Sequence, residues 1–244
     1  MEYVAQAIDL KSSFHNQMNT ISEIDDHCRQ IEDEINQFKS QGKKLFLSSS
    51  LQTHSLPLLD IIHSIDPKIP VYFIDTGYHF PETILFKDRL KKEYGYHIIE
   101  LSSPVSRYQQ KDSDGQLLYT SDPDYCCYIN KVLPLEPILK EHDVWISGVR
   151  ASQSAFRSDL GKMGKGTFDT IKYHPVLEWT NQMIYAYKNA KNLPEHPLDE
   201  QGYSSIGCLP CTRKAEIGTD PREMRWFGLN KTECGLHTET MDTK

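Results

Sequence analysis

The run K-K-L-F-L-S-S-S, residues 43–50, joins a short apolar stretch to three serines, and the helical pattern S-L-P-L-L-D-I-I-H-S-I follows at 55–65. The run V-Y-F-I-D-T-G at 71–77 likewise passes from apolar residues into a turn. Two further strands are predicted in H-I-I-E-L at 97–101 and in D-V-W-I-S-G-V at 143–149. Strands that alternate with helices predict an α/β fold, with a mostly parallel sheet flanked by helices.

Helices are predicted between and around these strands. Apolar residues recur at helical spacing in 15–41, and helical sequence is also found at 81–94, 123–141 and 181–190. The segment G-K-M-G-K-G-T at 161–167 is rich in glycine and lysine, and it predicts a flexible loop.

Charge and hydropathy exclude several classes of protein. The net charge is −7, so the chain has no overall basic field for nucleic acid or for an acidic membrane surface. Its N-terminus lacks the basic and apolar segments of a signal peptide, and no apolar stretch approaches the roughly 20 residues of a membrane span. We therefore expect a cytoplasmic protein that binds neither nucleic acid nor membrane.

Cysteine spacing predicts metal or redox chemistry. The six cysteines are Cys28, Cys126, Cys127, Cys208, Cys211 and Cys234. A disulfide framework is not expected in a reducing cytoplasm, and the adjacent pair together with the C-x-x-C pair indicates metal binding. Zinc and an iron–sulfur cluster are both open. Adjacent helical cysteines point about 100° apart, an arrangement that suits the separate irons of a cluster.

Polar residues follow three of the predicted strands, at the ends where parallel sheets bind ligands. Serine hydroxyls at a helix N-terminus suit a phosphate, and arginine forks suit phosphate or sulfate. Helix-capping serines and a solvated surface loop are the alternatives. The candidate residues after the strands are Ser48, Ser49, Ser50, Gln52, Asp75, Thr76, Gly77, Gly148, Arg150, Gln153, Ser154 and Arg157.

Three further cations are candidates for an anion site. Lys131 follows Cys127 by four residues and is therefore expected on the same helix face. In T-D-P-R-E-M-R-W-F, residues 219–227, Asp220 is predicted to cap a helix N-terminus. Arg222 and Arg225 then share one face and form a clamp for an oxyanion, unless they are ordinary surface arginines.

The polar C-terminal segment N-K-T-E-C-G-L-H-T-E-T-M-D-T-K, residues 230–244, contains Cys234 three positions before His237. Few apolar residues surround this cysteine, so we expect an exposed and mobile thiol. Such a thiol suits a nucleophile whose pKa is lowered by nearby cations.

Together, the two cysteine pairs, the strand-end motifs and the segment Glu233-Cys234-Gly235-Leu236-His237 resemble the assimilatory sulfonucleotide reductases, specifically the iron–sulfur adenylyl-sulfate (APS) reductases. The resemblance extends from about residue 40 to residue 238. It implies a fold of the adenine-nucleotide alpha-hydrolase type. We predict one sulfonucleotide-binding α/β domain with an N-terminal helical segment over 1–227 and a mobile tail over 228–244.

The resemblance also implies a chemistry. The Cys234 thiolate attacks the sulfur of APS, expels AMP and carries a thiosulfonate, from which thioredoxin or glutaredoxin releases sulfite. Cys126, Cys127, Cys208 and Cys211 hold a [4Fe–4S] cluster. The residues implied to hold the substrate are Ser48, Ser49, Ser50, Gln52, Asp75, Thr76, Gly77, Lys131, Gly148, Arg150, Arg157, Arg222, Arg225 and His237.

One departure concerns the nucleotide loop. Many APS-using relatives carry an acidic residue there, whereas this chain has S-S-S-L-Q-T-H-S, which is similar to enzymes acting on the 3′-phosphorylated nucleotide PAPS. Because those enzymes mostly lack both cysteine pairs, APS is the predicted substrate, with PAPS or dual use as the alternative. A non-catalytic, zinc-stabilised nucleotide-binding protein is the alternative from another class. An ATP pyrophosphatase would need an S-G-G-x-D-S-like loop, and the sequence has none.

Overall fold

The computed structural model describes residues 2–215, 224–226, 231 and 233–238, with the backbone alone for 2–19, 237 and 238. The strands of these residues are β1 (Leu45–Ser48), β2 (Val71–Asp75), β3 (Ile98–Ser102), β4 (Val144–Ser147), β5 (Met163–Lys165) and β6 (Ile171–Tyr173). The α-helices are α1 (Glu2–Ser40), α2 (Leu56–Ile65), α3 (Pro81–Tyr94), α4 (Leu118–Ser121), α5 (Pro123–Cys127), α6 (Leu133–Glu141), α7 (Ala155–Ser158), α8 (Asn181–Ala190) and α9 (Gly235–Thr238). A π-helical turn, Tyr128–Val132, joins α5 to α6.

The strands form one sheet in the order β3-β2-β1-β4-β6-β5, and every pairing except that of β5 with β6 is parallel. The mostly parallel sheet predicted from the sequence is confirmed. Strand order reverses between β1 and β4, which are neighbours in the sheet although helices and two strands separate them in the chain. Such a reversal opens a crevice beyond the carboxyl ends of the two strands.

Both faces of the sheet are buried, which explains why its central strands are continuously apolar. Successive side chains of a strand point to opposite faces. Leu45 and Leu47 of β1 accordingly join the larger core, whereas Phe46 between them joins the smaller one. On that second face Phe46 stacks on Trp145 of β4, with ring centroids 6.1 Å apart and 7° between the planes.

The helix predicted at 15–41 lies within α1, and its residues Ile24, Ile31, Ile35 and Phe38 are buried in the larger core. The chain turns out of this helix at Gly42, whose φ of 73° is left-handed. None of the helices in the described residues combines the length and the apolar character that crossing a membrane requires.

Two predicted segments differ from the structure. The glycine and lysine segment 161–167 contains strand β5, which pairs antiparallel with β6 at the sheet edge. Strand β5 is largely exposed, so it has no apolar pattern to reveal it. The single helix expected at 123–141 is divided at the π-helical turn. Pro134 and Pro137 follow this turn, and neither has the backbone N–H that an uninterrupted α-helix needs.

Candidate active site

A cavity of about 670 Å³ opens at the carboxyl ends of β1, β2 and β4. This volume is typical of sites for small molecules and cofactors. The cavity therefore lies at the strand ends where the sequence analysis expects a ligand. Its lining includes the predicted residues Ser48, Ser49, Ser50, Gln52, Thr76, Lys131, Gly148, Arg150, Gln153, Arg157, Cys208, Arg225 and Cys234.

The serine-rich loop after β1 is held in shape by its own side chains. The Ser48 hydroxyl accepts a hydrogen bond of 2.7 Å from the indole N–H of Trp145. Gln52 accepts one of 2.7 Å from the backbone N–H of Ile206 and donates one of 3.1 Å to the Ser50 hydroxyl. Gln52 thereby fastens this loop to the segment 203–207 on the opposite wall of the cavity.

The turn after β2 contributes Thr76 to the cavity, whereas Asp75 and Gly77 shape the turn itself. The Asp75 carboxylate accepts the backbone N–H of Gly77 at 2.8 Å, and Gly77 has a φ of 71°. A side chain on Gly77 would also approach Arg107, which donates to the Gly77 carbonyl at 2.9 Å. Asp75 and Gly77 do not line the cavity, and their visible role is to shape the turn that carries Thr76.

Arg150 lies buried at the base of the loop after β4. Its guanidinium donates to the Asn181 side-chain carbonyl at 2.8 Å. Asn181 begins α8 and lines the cavity, although the sequence analysis did not identify it as a site residue. Asn181 directly follows the helix cap Thr180, and this position at a helix N-terminus is the sequence feature that could have indicated a site residue.

The two cysteine pairs converge, although they are distant in the chain. A small second cavity, beside the first, is lined by Cys126, Cys127, Cys208 and Cys211. The first pair comes from α5, whereas Cys208 and Cys211 stand at the start and the end of a 3₁₀ turn, Leu209–Cys211, that Cys208 directly precedes. The backbone N–H of Leu209 donates to the Tyr78 carbonyl at 2.7 Å, which fixes this turn against the chain after β2.

The environment of these cysteines suits metal-bound thiolates. Burial, together with the charge of neighbouring cysteines, raises the pKa of the Cys126 thiol to about 12 and that of the Cys211 thiol to about 11. Such thiols ionise together only when a cationic centre binds them. Two polar groups face the sulfurs: Asn130 donates to Sγ of Cys126 at 3.6 Å, and the Thr76 hydroxyl lies 3.2 Å from Sγ of Cys208.

Within the described ranges, no three His, Cys, Asp or Glu side chains are grouped so that they could hold a metal ion. In a cluster, by contrast, each thiolate binds a separate iron, so the sulfurs stand further apart than the ligands of one ion. Four convergent thiols are a donor set that fits an iron–sulfur cluster, with zinc as the alternative.

Cys234 lines the larger cavity, and its neighbour Lys131 lines both cavities. Cys234 is half-buried, rather than exposed as its polar neighbours in the sequence predict. Its Sγ is 3.6 Å from the ammonium of Lys131, which is also 3.7 Å from Sγ of Cys127. Burial alone would raise the pKa of the Cys234 thiol, but Lys131, a backbone hydrogen bond from Leu236 and Arg225 together hold the pKa below its ordinary value. The site therefore favours a thiolate at position 234.

The side chain of Arg225 lines the cavity, and its guanidinium lies against the backbone of Gly207. A Cβ built on Gly207 would stand 2.1 Å from a nitrogen of the Arg225 guanidinium, so any other residue there would push the guanidinium out of this position. Arg225 also donates to the Ile206 carbonyl at 3.2 Å. Arg222 and the predicted cap Asp220 lie outside the described residues, as does the side chain of His237. The prediction that a helix carries Arg225 is wrong, because Arg225 forms an antiparallel β-bridge with Thr212.

Arg157 lines the cavity but is already paired. Its guanidinium forms a buried ion pair with Glu233, with 2.9 Å between Nη2 and Oε1. The sequence predicts that Arg157 binds the substrate, and no pattern in it indicates the ion pair with Glu233.

Comparisons with known proteins give a consistent result. Residues 44–214 match the phosphoadenosine phosphosulfate reductase domain family. The chain is 39% identical to the phosphoadenosine 5′-phosphosulfate reductase of Gloeobacter violaceus, over 80% of this chain and 83% of that one. It is 37% identical to the adenosine 5′-phosphosulfate reductase 1 of Bacillus subtilis, over 80% of this chain and 85% of that one.

Solved structures agree in fold. The phosphoadenylyl-sulfate reductase of Candida auris, in a phosphate complex, superposes with a TM-score of 0.64 at 23% identity, over 78% of this chain and 96% of that one. The FMN adenylyltransferase of Candida glabrata superposes with a TM-score of 0.55 at 17% identity, over 82% of this chain and 69% of that one. The predicted adenine-nucleotide alpha-hydrolase fold is confirmed. Sequence, fold and site geometry thus agree, and the chain belongs to the phosphoadenosine phosphosulfate reductase domain family.

Proposed function

We propose that this protein reduces adenylyl sulfate to sulfite and AMP in sulfate assimilation, with thioredoxin as the electron donor. The observation that carries the proposal is the position of the Cys234 thiol in a nucleotide-sized cavity, 3.6 Å from the ammonium of Lys131. A thiol whose pKa is lowered beside a fixed cation is a nucleophile prepared for an anionic electrophile.

In the first step, the Cys234 thiolate attacks the sulfur of the substrate's sulfate group. A bond forms between Sγ and that sulfur, and the bond from sulfur to the bridging oxygen breaks. AMP leaves with the electron pair of the broken bond, and Cys234 carries a thiosulfonate. Lys131 and Arg225 both face this position and are proposed to balance the charge that develops on the leaving oxygen.

In the second step, a thiolate of thioredoxin attacks Sγ of Cys234. Sulfite leaves with the electron pair of the sulfur–sulfur bond, and a mixed disulfide remains. The second thiol of thioredoxin resolves this disulfide, so the dithiol supplies both electrons and Cys234 is regenerated. Glutaredoxin is the alternative donor. This step requires Cys234 to meet a protein partner, which favours the predicted division into a domain over 1–227 and a mobile tail over 228–244.

We propose that Cys126, Cys127, Cys208 and Cys211 hold a [4Fe–4S] cluster. Their convergence on one cavity and the polar groups facing the sulfurs support this assignment. When bound, the cluster would supply a fixed charge beside Lys131. The chain's own contribution is to hold that ammonium between Cys127 and Cys234. Zinc remains the alternative, and the iron content of the purified protein distinguishes the two.

PAPS is the second candidate substrate, because a relative of 39% identity is named a phosphoadenosine 5′-phosphosulfate reductase. The test is sulfite release from APS and from PAPS, measured side by side with reduced thioredoxin. We expect sulfite from APS at the higher kcat/KM. Sulfite from neither nucleotide would favour the non-catalytic nucleotide-binding alternative. We also infer a cytoplasmic location, because free cysteines of this number suit a reducing compartment.

The nucleophile is tested by Cys234→Ser. We expect no sulfite from this variant, with nucleotide affinity and iron content nearly unchanged. The control is Cys28→Ala. Cys28 is a residue of α1 that packs against the larger core and does not line the cavity. Comparable turnover by Cys234→Ser would place the nucleophile elsewhere.

A further inference from the structure

The carboxylate of Glu233 is surrounded by hydrogen-bond donors. Arg157 donates to it from Nε at 3.0 Å and from Nη2 at 2.9 Å, a bidentate arrangement. The Ser154 hydroxyl donates at 3.1 Å, and the backbone N–H of Cys234 donates at 2.9 Å. The paired side chains are only 8% and 5% exposed, so solvent screens the interaction little.

Three of the five N–H groups of Arg157 donate to protein side chains in this arrangement. Its remaining terminal nitrogen, Nη1, donates to the side-chain carbonyl of Gln153. A substrate phosphate or sulfate that bound the bidentate edge of this guanidinium, formed by Nε and Nη2, would have to displace Glu233. Displacement would leave the Glu233 carboxylate without its charged partner, and an unpaired buried charge is strongly unfavourable.

The same contacts determine where the nucleophile lies. Glu233 precedes Cys234 directly and also accepts that residue's backbone N–H, so the carboxylate fixes the chain at the reacting sulfur. On either side, Lys231 pairs with Asp124, and Leu236 packs against the smaller core. The ion pair between Arg157 and Glu233 is buried, whereas Asp124 of the flanking pair is 67% exposed. The buried pair is therefore the stronger electrostatic attachment.

We propose that Arg157 is the receptor for the C-terminal segment and that Glu233 is a positioning residue, which holds Cys234 beside Lys131. We call this ion pair the 157–233 latch. The latch is closed while Cys234 faces the cavity, and it opens when the thiol turns outward to a protein donor. Only the encounter with a protein donor rests on the proposed function, because the ion pair and its breaking are properties of the chain without substrate.

The latch is tested by the rate at which iodoacetamide alkylates Cys234 in the iron-loaded protein without nucleotide, followed by peptide mass spectrometry. Glu233→Gln and Arg157→Gln each remove a charge-assisted contact, and both are expected to speed alkylation roughly 10- to 100-fold. The double variant, Arg157→Gln with Glu233→Gln, is expected to react no faster than the faster single variant, because each single substitution already removes the same ion pair. Glu100→Gln is the matched control, since it breaks a comparable pair with buried Lys87 outside the cavity.

Arg157→Gln separates the latch from a simple charge effect. Loss of the Glu233 charge would make the Cys234 thiol more reactive even if Cys234 did not move away from the cavity. Loss of the Arg157 charge would make it less reactive on electrostatic grounds. Faster alkylation in both variants supports the latch, whereas slower alkylation in Arg157→Gln overturns it.

Binding and single-turnover measurements complete the test. With Arg157→Gln, nucleotide affinity is expected to stay within about threefold of wild type, while formation of the Cys234 adduct at saturating nucleotide slows about 10-fold or more. A 10-fold or greater loss of nucleotide affinity with unchanged alkylation would make Arg157 a substrate ligand and refute the latch. Absence of any adduct in wild type would refute the proposed reaction, and the alkylation rates would still decide on the latch.

Discussion

The ammonium of Lys131 lies 3.6 Å from Sγ of Cys234, although 103 residues separate the two in the chain. Lys131 also lies 3.7 Å from Sγ of Cys127. Desolvation alone would lower the pKa of this lysine, but the surrounding cysteine sulfurs raise it well above its ordinary value. Lys131 therefore stays protonated at neutral pH and links the proposed nucleophile to the cysteine-lined cavity.

Lys131→Met is expected to slow formation of the Cys234 adduct at least about 10-fold at pH 7, because a charge-assisted contact to the thiolate is lost. Removal of the cation also raises the pKa of the thiol, so the pH midpoint of Cys234 alkylation should move upward. Lys131→Arg keeps the charge and should shift that midpoint less. Equal midpoints in wild type and Lys131→Met would show that the ammonium does not stabilise the thiolate.

Arg225→Ala is expected to weaken nucleotide binding or kcat/KM about 10- to 150-fold, the equivalent of a charge-assisted hydrogen bond of roughly 1.5–3 kcal/mol. Lysine at this position should rescue only part of the loss, since it lacks the planar fork. Arg222→Ala is predicted to act similarly if both arginines hold the substrate. Wild-type binding in both alanine variants would identify them as ordinary surface arginines, with iron content as the control for folding.

Gly207→Ala should reproduce much of the defect of Arg225→Ala, because the added methyl group meets the Arg225 guanidinium at 2.1 Å. The double variant should bind nucleotide no more weakly than Arg225→Ala alone. Gly164→Ala is the control, since a Cβ there meets no atom within 4 Å. Additive losses in the double variant would mean that Gly207 serves some other purpose.

Iron is expected at about four atoms per chain in anaerobic preparations, which should be brown. Cys208→Ser should lose iron and melt at a lower temperature, because a bound cluster ties α5 to the 3₁₀ turn Leu209–Cys211. Cys28→Ala, at a cysteine outside this group, should keep its iron. Stoichiometric zinc without iron would refute the cluster assignment.

His196 should make the fold sensitive to acid. Burial lowers the pKa of His196 to about 4, against about 6.5 for an unfolded histidine. Its Nδ1 accepts the backbone N–H of Leu198 at 3.2 Å, which requires the neutral ring. Between pH 6.5 and 4 the unfolded state binds more protons, so the free energy of unfolding should fall by about 3 kcal/mol from this residue. Urea unfolding at pH 7 and pH 4.5 measures the change.

His196→Asn keeps an acceptor near the position of Nδ1 but does not titrate. The variant should therefore lose less stability on acidification than wild type does, even if it is less stable at pH 7. His174 is also buried with a pKa of about 4, so some acid sensitivity should remain. An unchanged pH dependence in His196→Asn would contradict the assignment.

The strands and the position of Lys131 could be predicted because they depend on residues that are close together in the chain. Apolar runs identified the strands β1 to β4, and the runs are clearest in β1 and β4, because a strand buried on both faces is apolar throughout. The placement of Lys131 beside Cys127 followed from a separation of four residues on a helix. Strands β5 and β6 have three residues each, and β5 is exposed at the sheet edge, so neither produced a recognisable pattern.

Pairings over long distances escaped the sequence analysis. Glu233 and Arg157 are 76 positions apart, and no periodicity relates a loop after β4 to a residue near the C-terminus. The half-buried state of Cys234 was missed for a similar reason. Leu236 packs against the smaller core on the far face of the sheet, and a count of apolar neighbours along the chain cannot register that contact.

The order of these parts along the chain has a consequence for synthesis on the ribosome. The last strand of the described residues ends at Tyr173, so these strands are all synthesised before Cys208 and Cys211. The cysteine-lined cavity therefore needs residues that are synthesised after these strands, and Cys234 is synthesised later still. A chain released early, before residue 230, would carry the nucleotide cavity and all four convergent cysteines without the nucleophile. Such a product would compete for substrate and iron while releasing no sulfite.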